Sequence, residues 1–289
     1  MSYAWLWFLV HVMGHLPRRA LYVAADLGAT LAWVASPGIR RVTTDHMRHV
    51  LGAGSSRREQ HRAARGCVRA TGRYWADFCR GPHLPPDALF DELESVEGLS
   101  NLFEAYDRGC GVIAYSAHLG NPEYVVRAAA RVGLNPLVLT EELSPPKVNA
   151  LVHEARSTPG TRFLPVGLSA VREAIAQLRG GGVLAILGDR DILANGHPTA
   201  FFGERASLPT GAVDLALRTG APILPMFVVR TRSGFAVYME PAFTLVRSED
   251  RAADLDAGMR RVAAALEAGI RRAPDQWFPL QPIWSGLAR

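Results

Sequence analysis

An α/β fold, with a mostly parallel central sheet flanked by helices, is what this sequence predicts. From Gly111 onward, short apolar runs alternate with helix-length segments, the pattern of strand–helix–strand units. Before Gly111 the chain reads as helix after helix. Of 289 residues, 48% are hydrophobic and 20% charged, the balance of a chain that buries a sizeable core. The 27 Gly and 19 Pro show no period, which argues against collagen-like and repeat architectures.

Residues 3–12 are apolar and aromatic, with Tyr3, Trp5, Trp7 and Phe8; His11 and His15 follow, then Pro17, Arg18 and Arg19. A second apolar stretch, residues 21–35, carries Asp26. Neither reaches the ~20 uninterrupted apolar residues of a membrane span. No small-residue cleavage site follows an early basic region. A pair of apolar helices bracketed by Arg18, Arg19, Arg40 and Arg41 suits a membrane surface, where Trp and Tyr favour the headgroup level and Arg meets lipid phosphate. The structural alternative is a buried helical hairpin. Residues 1–50 are therefore read as a membrane-contacting helical segment. Residues 51–289 are read as one α/β domain without an internal linker.

The later elements follow in order. Residues 57–79 form a helix crowded at its end by Tyr74, Trp75 and Phe78, and Gly81-Pro82 and Leu84-Pro85-Pro86 break the chain. Residues 99–107 form a short helix closed by Arg108-Gly109. Strands are predicted at 112–115, 136–139, 162–165, 183–187, 222–229 and 235–239. Helices are predicted at 122–132, with Asn121 as cap and Pro122 at its first position; at 146–156; at 169–178, capped by Ser169; and, capped by Thr210, up to Thr219. Residues 189–209 read as a long polar loop, and Ser233-Gly234 as a hairpin turn. Leu255, Met259, Val262, Leu266 and Ile270 form the buried stripe of a last helix.

In an open α/β sheet, ligands bind beyond the carboxyl ends of the strands. His118 sits at such an end, and Glu123 follows in the first turn of the next helix. A carboxylate beside an imidazole fixes its tautomer and improves it as a general base for a hydroxyl. Glu123 also suits the helix dipole without any catalytic role. A second strand end carries Asp189, Arg190 and Asp191; if the two strands are neighbours, one of these acids faces His118. Phe201, Phe202, Gly203 and Arg205 lie in the polar loop, where the aromatics would wall an apolar ligand or anchor the loop.

Taken as an ordered set, these pieces resemble a known family. The set is His-x-x-x-x-Glu from His118, then Asp189-Arg190-Asp191, Phe201-Phe202-Gly203, Pro209-Thr210-Gly211 and Ala221-Pro222-Ile223-Leu224-Pro225. The chain resembles the bacterial lipid A biosynthesis acyltransferases, the lauroyl and myristoyl transferases. It is similar also to the phosphatidylinositol mannoside acyltransferases, within the lysophospholipid acyltransferase superfamily. The resemblance runs from near the N-terminus to Gln276-Trp277. It implies a glycerol-3-phosphate acyltransferase-like fold at the cytoplasmic face of a bacterial inner membrane. It implies His118 as general base, oriented by Glu123 and paired with Asp189. Asn121, Arg190, Asp191, Phe201, Phe202, Gly203 and Arg205 would contact substrate. The co-substrate would be acyl-CoA or acyl-carrier protein, with no cofactor and no metal, and the acceptor a membrane lipid. The motif's acid is Glu, as in many lipid A enzymes, whereas the mannoside enzymes usually carry Asp.

Competing readings are narrower. Ser116, His118 and Asp189 would suit a serine hydrolase, but no Gly-x-Ser-x-Gly elbow is present and residues two apart on a strand face opposite sides. A catalytically inactive lipid-binding protein at the membrane surface is the non-enzymatic alternative. Gly109-x-Gly111 precedes its strand, so it cannot cradle a dinucleotide pyrophosphate. The net charge of +5 is carried by arginine, since Lys147 is the sole lysine. Those arginines are dispersed and lack an aromatic stacking platform, which argues against nucleic acid. Cys67, Cys79 and Cys110 form neither a metal pattern nor a disulfide framework, and His153 and His197 stand alone. A monomer is expected.

Overall fold

A computed structural model describes residues 2–85 and 88–284. Four helices come first: α1 (Tyr3–His11), α2 (Arg18–Ala35), α3 (Pro37–Leu51) and α4 (Arg57–Arg80). The long α4 begins with a full capping box between Ser56 and Glu59. Asp26 of α2 takes both Arg73 Nε at 2.8 Å and Nη2 at 2.6 Å, which fastens α2 along α4. Then come α5 (Ala88–Asp91), β1 (Leu93–Glu97), α6 (Leu99–Tyr106), β2 (Val112–Ser116), α7 (Pro122–Arg131), β3 (Leu137–Thr140), α8 (Pro146–Arg156) and β4 (Arg162–Pro165). The rest comprises α9 (Leu168–Arg179), β5 (Val183–Leu187), β6 (His197–Phe201), β7 (Glu204–Leu208), α10 (Gly211–Thr219), β8 (Ile223–Arg230), β9 (Phe235–Met239) and α11 (Arg251–Arg272).

The sheet order is β1-β9-β8-β2-β5-β3-β4, with β2 between β8 and β5. Every pairing in it is parallel except the β8–β9 hairpin. The apolar runs predicted as strands are β2 and β8, and both are buried along most of their length. On one face Ile113, Tyr115, Leu184 and Ile223 pack with α9, α10 and α11 in the main core. On the other, Val112, Leu224, Met226 and Val228 pack with α6. The helix α11 buries Met259, Val262, Leu266 and Ile270, as the stripe predicts.

The expected loop at residues 189–209 is instead largely an antiparallel hairpin, β6–β7. Its turn uses Phe202 and Gly203, both at positive φ (49° and 82°), the mirror-image geometry that suits hairpin twist. β1 is a further strand that the sequence reading did not include; its burial is slight and its acids face outward. Helix α9 starts at Leu168 on Gly167, with no side-chain cap, so Ser169 does not cap it. Asn121 is at the N-cap position of α7 but makes no capping bond.

Candidate active site

Ser116 of β2 lies opposite Leu187 of β5, so the loops leaving both strands start side by side. One presents His118, the other Asp189. The fully buried Asp189 carboxylate accepts from His118 Nδ1 at 2.7 Å, from the His118 amide at 3.0 Å and from Trp277 Nε1 at 2.8 Å. Burial alone would raise the Asp189 pKa. The His118 ring and the hydrogen bonds outweigh it and hold the carboxyl below its usual range. An ionised carboxylate at Nδ1 fixes the proton there and leaves the lone pair on Nε2. The ring lines an open cleft, and Nε2 makes no hydrogen bond among the described residues.

The loop that carries His118 is clamped. Its Gly120 amide donates to Gln276 O at 3.1 Å, the Phe278 amide donates to His118 O at 2.9 Å, and Leu119 bridges Trp277. Gly120 has φ +60°, and a Cβ there would stand 2.0 Å from Val228 O, so only glycine fits. Phe278 meets the His118 ring edge-on at 5.8 Å. Trp277 is held among Phe201, Phe202 and Trp284, at ring separations of 6.1, 6.3 and 6.2 Å.

Two cavities share a wall near His118. The polar cleft, about 620 Å³, is bordered by His118, Glu123, Glu141, Arg156, Arg190 and Thr210. The apolar channel, about 290 Å³, lies between α7 and the sheet. Glu123, Val138, Ile186 and Leu187 border both. The channel exists because its facing surfaces are small: Ala114 and Ala185 are direct partners across β2 and β5, and Ala128 and Ala129 of α7 lie on the lining too. Small residues on a helix and on the strands it covers leave unfilled volume where Leu or Val would close it. Toward the sheet edge the lining continues through Met226 and Met239, a cross-strand pair, to Leu99 and Phe90.

Glu123 is placed differently from the expectation that it orients His118. Arg156 Nε stands 2.7 Å from Glu123 Oε1, and the Tyr74 hydroxyl donates to the same oxygen at 3.1 Å. No hydrogen bond joins Glu123 to His118 among the described residues; Asp189 orients the ring. Arg190 lines the cleft and donates to Glu141 at 3.1 Å. Asp191 also borders the cleft, but its carboxylate accepts from the Asn195 and Gly196 amides and the Ser207 hydroxyl, at 3.2, 2.8 and 2.6 Å. It staples the β6–β7 hairpin. Phe201 and Phe202 are buried beside Trp277 rather than lining either cavity; Gly203 is exposed on the hairpin turn and Arg205 on β7. Asn121 is buried and turned toward Asp77, away from the cleft. The Ser116 hydroxyl makes no hydrogen bond to His118 among the described residues, so no serine triad is assembled. Trp277, Gln276, Arg156 and Tyr74 were not singled out as site residues. They lie far along the chain from His118, and nothing local marks them.

Fold and site together define a class. A mostly parallel sheet whose carboxyl edge holds an aspartate-paired histidine on a polar cleft, next to an apolar channel, suits an α/β acyltransferase. The chain belongs to the bacterial lipid A biosynthesis acyltransferase family, whose model matches residues 1–285. It is similar to a phosphatidylinositol mannoside acyltransferase of Mycobacterium tuberculosis, 26% identical over 287 residues, covering 98% of this chain and 87% of the relative. A phosphatidylinositol mannoside acyltransferase of Mycolicibacterium smegmatis is 26% identical over 224 residues, 76% of this chain and 71% of that one.

Proposed function

We propose that this acyltransferase moves a fatty acyl group from a thioester, acyl-CoA or acyl-carrier protein, to a hydroxyl of a membrane glycolipid or phospholipid. A lipid A precursor or a phosphatidylinositol mannoside is the kind of acceptor meant. The observation that carries this reading is His118 on the wall of a polar cleft that shares Glu123, Ile186 and Leu187 with an apolar channel. The acyl chain enters the channel and the acceptor headgroup enters the cleft. His118 Nε2 takes the proton of the acceptor hydroxyl, whose oxygen attacks the thioester carbonyl. The carbon–sulfur bond then breaks, and the thiolate leaves with the proton from the imidazolium. Asp189 stabilises that imidazolium by staying ionised. A thioester is already activated, so positioning and one base suffice without a metal or a covalent enzyme intermediate. Gly120 does not serve the tetrahedral oxyanion, because its amide is spent on Gln276.

The helices α1 and α2 support a membrane site of action. Among the described residues no helix is long and apolar enough to cross a membrane. Yet Val23, Leu27, Leu31 and Val34 form one stripe of α2 that is 62–70% exposed, and Trp5, Trp7 and Phe8 are exposed on α1. With Arg19 and Arg41 exposed nearby in sequence, such faces suit a bilayer surface, which we take to be the cytoplasmic face of the inner membrane, contacted by a monomer. The deciding measurement is transfer of radiolabelled acyl groups from each donor into lipid extract, with wild type and His118→Ala side by side. Label in a lipid, lost in the variant, is expected. Release of free fatty acid alone would favour a hydrolase. Absence of any His118-dependent product with either donor overturns the reading.

A further inference from the structure

Asp77, in the last turns of α4, is buried where four parts of the chain meet. Its Oδ2 stands 2.6 Å from Arg230 Nη1 and accepts from Asn121 Nδ2 at 3.3 Å. Its Oδ1 accepts from the Tyr22 hydroxyl of α2 at 2.8 Å. The Tyr22 hydroxyl in turn accepts from Arg18 Nε at 2.9 Å and from Arg230. Arg230 is gripped a second time through its main chain: its amide donates to Gln276 Oε1 at 2.7 Å, and its carbonyl accepts from Gln276 Nε2 at 2.8 Å. The Gln276 carbonyl then accepts the Gly120 amide. The contacts close a ring, Asp77–Arg230–Gln276–Gly120–Asn121–Asp77, and its Gly120-Asn121 segment begins two residues after His118.

We propose that Asp77 is a positioning residue for the acyl transfer, holding the His118 loop through Asn121 and Arg230. The inference rests on the acyltransferase reading. Asn121 fills the N-cap position of α7, where its side chain would ordinarily bond the helix amides. It gives up that bond to reach Asp77. Asn121 Oδ1 and Arg230 Nη2 are left buried without partners among the described residues. A fold optimised for stability alone would not keep such atoms unpaired, so the cluster has the character of a placement device. Tyr22 extends the hold to α2, on the helix whose outer stripe is apolar and exposed. Asp77 touches neither cavity, so it acts only through the loop.

The test compares wild type, Asp77→Asn and Tyr22→Phe by steady-state acyl transfer, thermal unfolding and the nitrogen NMR signals of the His118 imidazole. An asparagine keeps the shape but sets an amide donor against the donors of Arg230 or Asn121. We expect kcat to fall about tenfold or more, as a misplacement near 1 Å does, with KM for the thioester within about twofold of wild type. The His118 signals should shift, because its loop has moved. Tyr22→Phe removes one hydroxyl and should show the same pattern at about threefold. If Asp77→Asn fails to fold, that second variant decides. A lowered melting temperature with wild-type kcat and unchanged His118 signals overturns the proposal. Should the wild type transfer no acyl group, the acyltransferase reading fails, and the imidazole signals still decide whether Asp77 places His118.

Discussion

The polar cleft and the apolar channel share a wall, and they are built by opposite means. The cleft side is specified by enumerable contacts: Asp189 to His118, Trp277 to Asp189, Arg156 to Glu123, Gln276 to Gly120. The channel is specified by what is missing, the side-chain volume at Ala114, Ala185, Ala128 and Ala129. Directional contacts fail all at once when an atom is removed. A void fails only when something fills it, and then by degree. The two halves of the site should therefore break differently under mutation: the cleft through turnover, the channel through the choice of acyl chain.

The largest effect should come from Asp189→Asn. The amide keeps the shape but cannot favour the Nδ1–H tautomer or stabilise an imidazolium. A loss of kcat of about 10³-fold or more is expected, with thioester KM nearly unchanged, by analogy with the aspartate of a serine-protease triad. Steady-state kinetics check it; a loss under tenfold would remove Asp189 from the mechanism. Ala185→Phe should act next, and only on the channel. It should lower kcat/KM for long-chain donors on the order of tenfold to a hundredfold while sparing short ones, since each methylene in an apolar site contributes about 1–3 kcal/mol. A panel of acyl thioesters checks this. Equal loss across all chain lengths would mean that the channel does not hold the acyl group. Leu27→Glu with Leu31→Glu should leave both cavities intact and weaken binding to anionic vesicles about tenfold in a sedimentation assay. Unchanged binding would take α2 out of the membrane contact.

The same contrast explains what the sequence revealed. The parallel strands were legible because β2, β5 and β8 are uninterrupted apolar runs of strand length. An acid partner for His118 was legible because both loops leave the carboxyl ends of strands, but the strand pattern alone left Asp189 and Asp191 as alternatives; Asp191 turns to the Asn195 and Gly196 amides instead. Glu123 was readable as a position but not as a contact, since Arg156 reaches it from another helix, α8. The β6–β7 hairpin was hidden because Thr199, Phe201, Ala206 and Leu208 are buried one residue in two within a stretch rich in polar residues and Pro. Phe201 and Phe202 stand out in the sequence as aromatics within a polar stretch, but they line neither cavity. Their place beside Trp277 depends on a packing that no local pattern encodes. The channel was invisible for the same reason. An alanine on a strand reads as ordinary core, and only the pairing of β2 with β5 under α7 turns several alanines into one space.

A last prediction separates the stability of the cleft's support from its chemistry. His46 of α3 is buried against Trp277 at 5.1 Å and Trp284 at 5.6 Å, behind the residue that holds Asp189. Burial, then the neighbouring His49, pushes its pKa down to about 4, against the partial pull of Asp189. Between the usual histidine value of about 6.5 and that depressed value, the unfolded chain binds a proton that the folded chain refuses. Stability attributable to His46 is therefore complete above about pH 6.5 and declines as pH falls toward 4. The full loss is on the order of 3 kcal/mol for a shift of this size. Asp189, held below the ordinary carboxylate range, starts to lose its contribution only as pH falls toward the ordinary aspartate value of about 4, so the decline above pH 5 belongs to His46. Denaturant unfolding at pH 7.0, 6.0 and 5.0 should show the decline in wild type. In His46→Leu, which cannot titrate, the curve should flatten over the same interval. Parallel curves for the two proteins would show that acid weakens the fold elsewhere, and that the layer behind Trp277 is set by packing alone.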